Sequence, residues 1–304
     1  MTPLAKEWRI NMNLDDFLTK ELTSMSENIC NNYRENMENR TKNPFLCFED
    51  DSIKKYMALG RSFDSQLGNR IQRIIFFLAR KKYGDIMVPN IVSLDLNERS
   101  REMHMTLYAA PIDLAKEKQN KDFDPFAQYI YIGKKTDRAK IKSKLKIKAR
   151  SDGLLTKEYV LKSCSDEVIK SYNKMKGKQY PVDLLTLSAS ENDNSGKIDL
   201  ELYVYEIKMG GNLDTKNAPS NADEVSKNKI IFSFIKNSHS CFATCYGSCS
   251  PAVKNAIKKK KGELLSPEML WKRVIPSEIS YEDFIEKFKK AFKSSSIEKV
   301  LQNL

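Results

Sequence analysis

Residues 197–208 read KIDLELYVYEIK, and this run most narrows what the chain can fold into. Ile198, Leu200, Leu202, Val204 and, less strictly, Glu206 alternate with Asp199, Glu201, Tyr203, Tyr205 and Ile207. Period two with apolar residues on one side specifies a half-buried strand. The cluster ENDNSG, Glu191–Gly196, precedes it and holds turn formers. Before that lies QYPVDLLTLS, Gln179–Ser188, with β-branched and apolar residues behind a proline. Two strands flanking a short polar turn predict a β-hairpin.

The hairpin concentrates chemistry. Glu206 and Lys208 are two residues apart, so they project from one face of their strand. Asp183 lies on the other strand, with 22 residues between it and Glu206, and a hairpin brings it beside them. Two carboxylates and an ammonium suit phosphodiester hydrolysis. Oxygen donors match Mg²⁺, which binds through one or two carboxylates and keeps several waters. Such an ion neutralises phosphate charge and lowers the pKa of a bound water. Lys208 would orient or help deprotonate that water, with a pKa expected to be depressed by the metal and the sheet interior.

Charge points the same way. The net charge is +12, and residues 134–150, KKTDRAKIKSKLKIKAR, hold nine Lys or Arg and one Asp. Lys254 and the run Lys258–Lys261 add a second basic stretch. A polyanion is the natural partner, because each neutralised phosphate releases counterions. If Ile141, Leu145 and Ile147 face a core, then Lys142, Lys144, Lys146 and Lys148 flank them as phosphate clamps. Arg138 and Arg150 are the candidates for base reading.

Elsewhere the periodicity predicts helices over 13–40, 64–83, 156–176, 222–236 and 281–301, with Gly84 and Gly177 as stops. Strands are expected at 103–110, 128–133 and 240–247. Residues 116–124 and 210–222 read as polar loops. No Gly- or Pro-rich linker divides the 304 residues, so a single domain is expected. Its core would span about 155–250, with N-terminal helices at 13–83, a basic middle segment at 100–150 and a helical end at 265–304. The longest apolar run, Ile74–Ala79, is far below the ~20 residues of a membrane span. Residues 1–16 lack a secretory h-region, so a cytoplasmic protein with reduced thiols is expected.

Several features take structural readings. Asp199 and Glu201 occupy the strand face opposite Glu206 and are expected to face solvent or another element. Cys241, Cys245 and Cys249 fall at i, i+4 and i+8, expected on one strand face as buried thiols. His104 and His239 have no Ser or Cys partner pattern, so nucleophilic catalysis is not indicated. Neither GxxxxGK[ST] nor GxGxxG occurs, so no nucleotide cofactor is expected.

Pro181, Asp183, Glu206 and Lys208 resemble the PD-(D/E)XK nuclease superfamily, and within it the type II restriction endonucleases. Val182 departs from a literal PD. The similarity continues through EIKMGGNLDTKNAP, a helix and HSCFATCYGS, covering about 180–247. Upstream, RSFDSQLGNRIQRIIFFLA, Arg61–Ala79, resembles the N-terminal helix of such enzymes. The general look is of the branch that cuts GGNCC-like sites, though no single residue carries that. The resemblance implies an α/β, restriction-endonuclease-like core with a central mixed sheet flanked by helices. It also implies a homodimer and Mg²⁺-dependent cleavage of both DNA strands at a short site. Asp183, Glu206 and Lys208 would be catalytic, and Asp183, Glu206 and Ile207 would hold the metal. A helical carboxylate sometimes joins such sites, and Glu158 and Glu167 are the candidates here. A repair, recombination or transposition nuclease, or a non-catalytic nucleic-acid-binding protein, are the alternatives.

Overall fold

The computed structural model describes residues 12–42, 46, 51–112, 124–133, 154–161, 163–192, 197–210 and 217–302. The chain is α/β, with mixed sheets flanked by helices, as expected. Its backbone groups into two compact units. The sequence shows no linker because the chain passes between them at residue 75/76, inside a helix, and again at 276/277.

The smaller unit is helical. Helix α1 (Leu14–Thr41) buries Phe17, Leu18, Leu22, Met25 and Ile29, a stripe at helical spacing. Helix α2 (Asp51–Tyr83) is longer than the 64–83 pattern suggests, and its first 25 residues belong to this unit. Arg70 and Arg73 lie off the apolar stripe of α2 but are not solvated. Both grip the buried Glu21 of α1, at 2.9 and 2.8 Å. At the C-terminus the expected single helix is two, α7 (Tyr281–Ser294) and α8 (Ile297–Gln302), separated by Ser296 at φ 58. Lys287 of α7 ties to Asp15 of α1 at 2.7 Å.

The larger unit contains two sheets. The first runs β4-β2-β1-β3-β5, built from β1 (Ile91–Asn97), β2 (Glu102–Ala109), β3 (Gln128–Ile132), β4 (Leu155–Leu161) and β5 (Gln179–Val182). β1 carries a period-two pattern, Val92, Leu94 and Leu96 buried, which the sequence reading leaves unassigned. The expected helix over 156–176 is instead β4 followed by α3 (Asp166–Met175). Thr156, Tyr159 and Val160 favour a strand. Ser165 then starts the helix afresh, accepting a hydrogen bond from the Val168 N–H, with Asp166 and Glu167 in the first turn. Gly177, at φ 81, follows it.

The second sheet runs β6-β7-β8-β9, with β6 (Leu184–Asn192), β7 (Lys197–Gly210), β8 (Asn237–Tyr246) and β9 (Glu263–Leu265). β6 and β7 form the expected antiparallel hairpin, and β8 and β9 add in parallel. Parallel neighbours need crossovers. Here they are α4 (Ala218–Ile231) and α5 (Pro251–Lys259), and α6 (Pro267–Val274) follows β9. Leu185, Leu187, Leu200, Leu202 and Val204 meet Val92, Leu94, Met105, Leu107 and Ile130 of the first sheet in one core.

One expected strand, 179–188, is therefore two, broken at Asp183. Pro181 lacks an N–H and lies in β5, at the edge of the first sheet. The chain then leaves for the second sheet. Gln128, pairing with Val182, holds the far side of the break through its buried side chain. That side chain accepts the Leu185 N–H at 2.7 Å and donates to the carbonyls of Leu185 at 3.1 Å and Pro89 at 2.6 Å.

Candidate active site

Pairing of β6 with β7 begins at Leu184 opposite Tyr205. Beyond Tyr205, β7 runs on as Glu206-Ile207-Lys208 with β8 on one edge and, among the described residues, no paired strand on the other. Asp183 takes up that freed edge. Its carboxylate Oδ2 accepts the Ile207 N–H at 2.7 Å. In an extended strand the N–H and C=O of one residue point to the same edge. The Ile207 carbonyl therefore faces the side on which Asp183 sits.

Glu206 and Lys208 share one face of β7, and the Lys208 ammonium donates to Glu206 Oε1 at 2.7 Å. The site is partly buried. Burial first, and then the charge of Asp183, raise the Glu206 carboxyl above its ordinary range. For Lys208, burial is the largest single influence and lowers the pKa. The hydrogen bond and charge of Glu206, with Asp183 and Glu224 behind them, outweigh it, so the net shift is upward. The depressed Lys208 pKa expected from the sequence rests on a bound metal as well as on burial; the pairing with Glu206 acts in the opposite direction.

Glu224 is the residue that sequence reasoning missed. It lies on α4, adds negative charge to both Glu206 and Lys208, and pairs with Lys227 at 2.9 Å. Lys227 in turn lies 4.4 Å from the ring of Tyr180, just ahead of Asp183. A signal was available: a crossover helix starts beside the carboxyl ends of the parallel strands it joins, so its first turns face whatever those ends carry. Glu158 and Glu167 are placed elsewhere. Glu158 is on β4 rather than on a helix. It holds His104 at 3.1 Å beside a 480 Å³ hollow on the polar face of the first sheet. Glu167 is exposed in the first turn of α3.

The opposite face of β7 is a separate polar group. Tyr203 donates to Glu201 at 2.7 Å and stacks on His239 at 4.4 Å, and His239 is bonded to Glu263. Asp199 is exposed on the same face. Cys241 and Cys245 are buried in β8, where burial pushes both thiols up to about 12. Cys249 is buried too, but it lies past the strand, in the cluster with Phe242, Val253 and Ile257. Three cysteines on one face, as the spacing suggests, are therefore only two. Lys142, Lys144, Lys146, Lys148, Arg138 and Arg150 lie outside the described residues.

Among the described residues no group of three or more His, Cys, Asp or Glu has metal-holding geometry. What the site offers is two oxygen-donor carboxylates close enough to raise one another's charge cost, plus the Ile207 carbonyl on the same edge. That donor set fits a hard divalent cation that retains water, and it does not fit a thiolate- or imidazole-bound metal. No described helix is long and apolar enough to cross a membrane. No protein-family model matches the chain, and no curated protein or solved structure is significantly similar to it.

Proposed function

We propose that this chain is a Mg²⁺-dependent endonuclease of the PD-(D/E)XK type that hydrolyses double-stranded DNA at a specific site, as a homodimer. The observation that carries the reading is the meeting of Asp183, Glu206 and Lys208 where β6 stops and β7 continues. Asp183, Glu206 and the Ile207 carbonyl would hold the ion, which when bound supplies charge neutralisation and an acidified water. Asp183 is oriented by the Ile207 N–H, which fixes its carboxylate at the open edge of β7. Glu206 is buried beside the like charge of Asp183, so a cation bound between the two carboxylates would offset both burdens. Lys208 is held protonated by Glu206, so it acts as a fixed cation. A cation at this place stabilises charge building on the phosphoryl oxygens and orients the attacking water. The net charge of +12 supports a polyanionic substrate.

The test is cleavage of plasmid DNA by the purified chain in Mg²⁺ or EDTA, with Asp183→Ala alongside. Discrete Mg²⁺-dependent fragments from the wild type alone are expected, and mapping their ends gives the site. Binding without cleavage, over several DNA substrates and divalent metals, would remove the catalytic reading and leave a nucleic-acid-binding protein.

A further inference from the structure

Alternation along β7 sets a row on one face: Glu206, Lys208, then position 210. Position 210 is glycine, so the row has no third side chain of its own. The register pairs Lys208 with Thr244 and Gly210 with Tyr246 of β8, so Tyr246 shares that face. Its ring fills the gap. A Cβ built on Gly210 would stand 2.9 Å from both Cζ and Oη of Tyr246. Glycine is what allows the hydroxyl end of the ring to approach β7 so closely, about 6.6 Å further along the strand than Lys208 at ~3.3 Å per residue.

Tyr246 is not placed there by burial, since 62% of it is exposed. Its hydroxyl has no hydrogen-bond partner among the described residues. Other tyrosines of the chain differ. Tyr83 donates to the Arg273 carbonyl at 2.7 Å, and Tyr203 to Glu201 at 2.7 Å. An aromatic ring set against backbone, with a hydroxyl unpaired among the described residues and beside a carboxylate–ammonium row, is suited to a ligand that is apolar along its sugar edges and an acceptor at its phosphates. A nucleic-acid strand passing Lys208 meets this position next.

Resting on the nuclease reading, we infer that Tyr246 is a substrate-contacting residue. Its hydroxyl donates a hydrogen bond to a non-bridging oxygen of a phosphate flanking the scissile one, and this fixes the register of the strand in the site. The contact is made to backbone, so it positions the DNA without reading its sequence.

The test uses the full chain and duplexes containing the mapped cleavage site, comparing wild type with Tyr246→Phe, which keeps the ring on Gly210. The variant is expected to melt at the wild-type temperature and to lose about tenfold in kcat/KM, the usual size for a lost bond to a charged group. When the flanking phosphate is replaced by a methylphosphonate, the two proteins should cut alike. Equal cleavage of the unmodified duplex by both proteins overturns the inference, as does a wild-type advantage that survives methylphosphonate at every flanking position. A wild type that does not cleave at all overturns the nuclease reading itself, a result distinct from either of these.

Discussion

Arg80→Met tests the reasoning that links the last turns of α2 to the first sheet. Arg80 is fully buried. Its guanidinium donates to the carbonyls of Val88 at 3.0 Å and Ala110 at 2.7 Å, and to Asn90 Oδ1 at 2.8 Å. It also lies 4.6 Å above the ring of Phe76. Burial pushes its pKa down to about 10, opposed by Asp85 at 3.7 Å, so it is charged at neutral pH. Methionine keeps much of the apolar stem and no donor. Asn90 Oδ1 keeps the Ala110 N–H at 2.8 Å, which leaves two carbonyls losing a donor. Each such loss costs about 1–3 kcal/mol, and relief of the burial of a charge offsets part of it. The expected destabilisation is about 3 kcal/mol, read from urea unfolding followed by circular dichroism. The midpoint should fall with the slope unchanged. A change below about 1 kcal/mol would refute the argument. It would mean that the desolvation of the guanidinium cancels what its three bonds contribute.

Further outcomes follow from the site. Asp183→Asn keeps an acceptor for the Ile207 N–H, so thermal stability should hold while cleavage drops by at least about a hundredfold in a plasmid assay. Mg²⁺ at ten times its Kd should stabilise the wild type by about 1.4 kcal/mol in thermal unfolding, and should leave Asp183→Ala unmoved. Gln128→Leu removes the clamp across the Asp183 break. It should lower kcat more than it raises KM, and an unchanged kcat would separate that clamp from the site. Cys241 and Cys245, with thiols at about 12, should resist alkylation at pH 8 until the chain unfolds, because only about one in ten thousand is thiolate.

The hairpin and its trio were legible because period two and a turn cluster are local signals. Leu200, Leu202 and Val204 announce a buried face, and Glu206 and Lys208 follow in the same phase. The division into two sheets was not legible. Nothing in QYPVDLLTLS separates β5 from β6, since both halves favour extended backbone. The break is decided by pairing with β3 on one side and β7 on the other, which are distant in sequence. Residues 156–176 misled for a related reason. Apolar spacing there fits a helix until the Ser165 cap is weighed, and β4 is fixed by its partner β2. Glu224 escaped because its role comes from the path of a crossover helix. The signs of the shifts at Lys208 likewise depend on a partner distance that spacing does not contain.

Asp183 sits at the hinge of two sheets, and this gives the site a mechanical character. Its carboxylate is carried by the peptide that leaves β5, while Glu206 and Lys208 ride on β7. Asp183 is bonded to the Ile207 N–H of β7 yet follows directly on β5, so a slide of one sheet past the other would load the contact that sets the gap between the two carboxylates. The leucine and methionine core between the sheets resists such a slide through close packing. Substitutions deep in that core, such as Leu187→Ala, would therefore act as detuning screws. They would alter cleavage through geometry at a distance, without touching a single residue of the site.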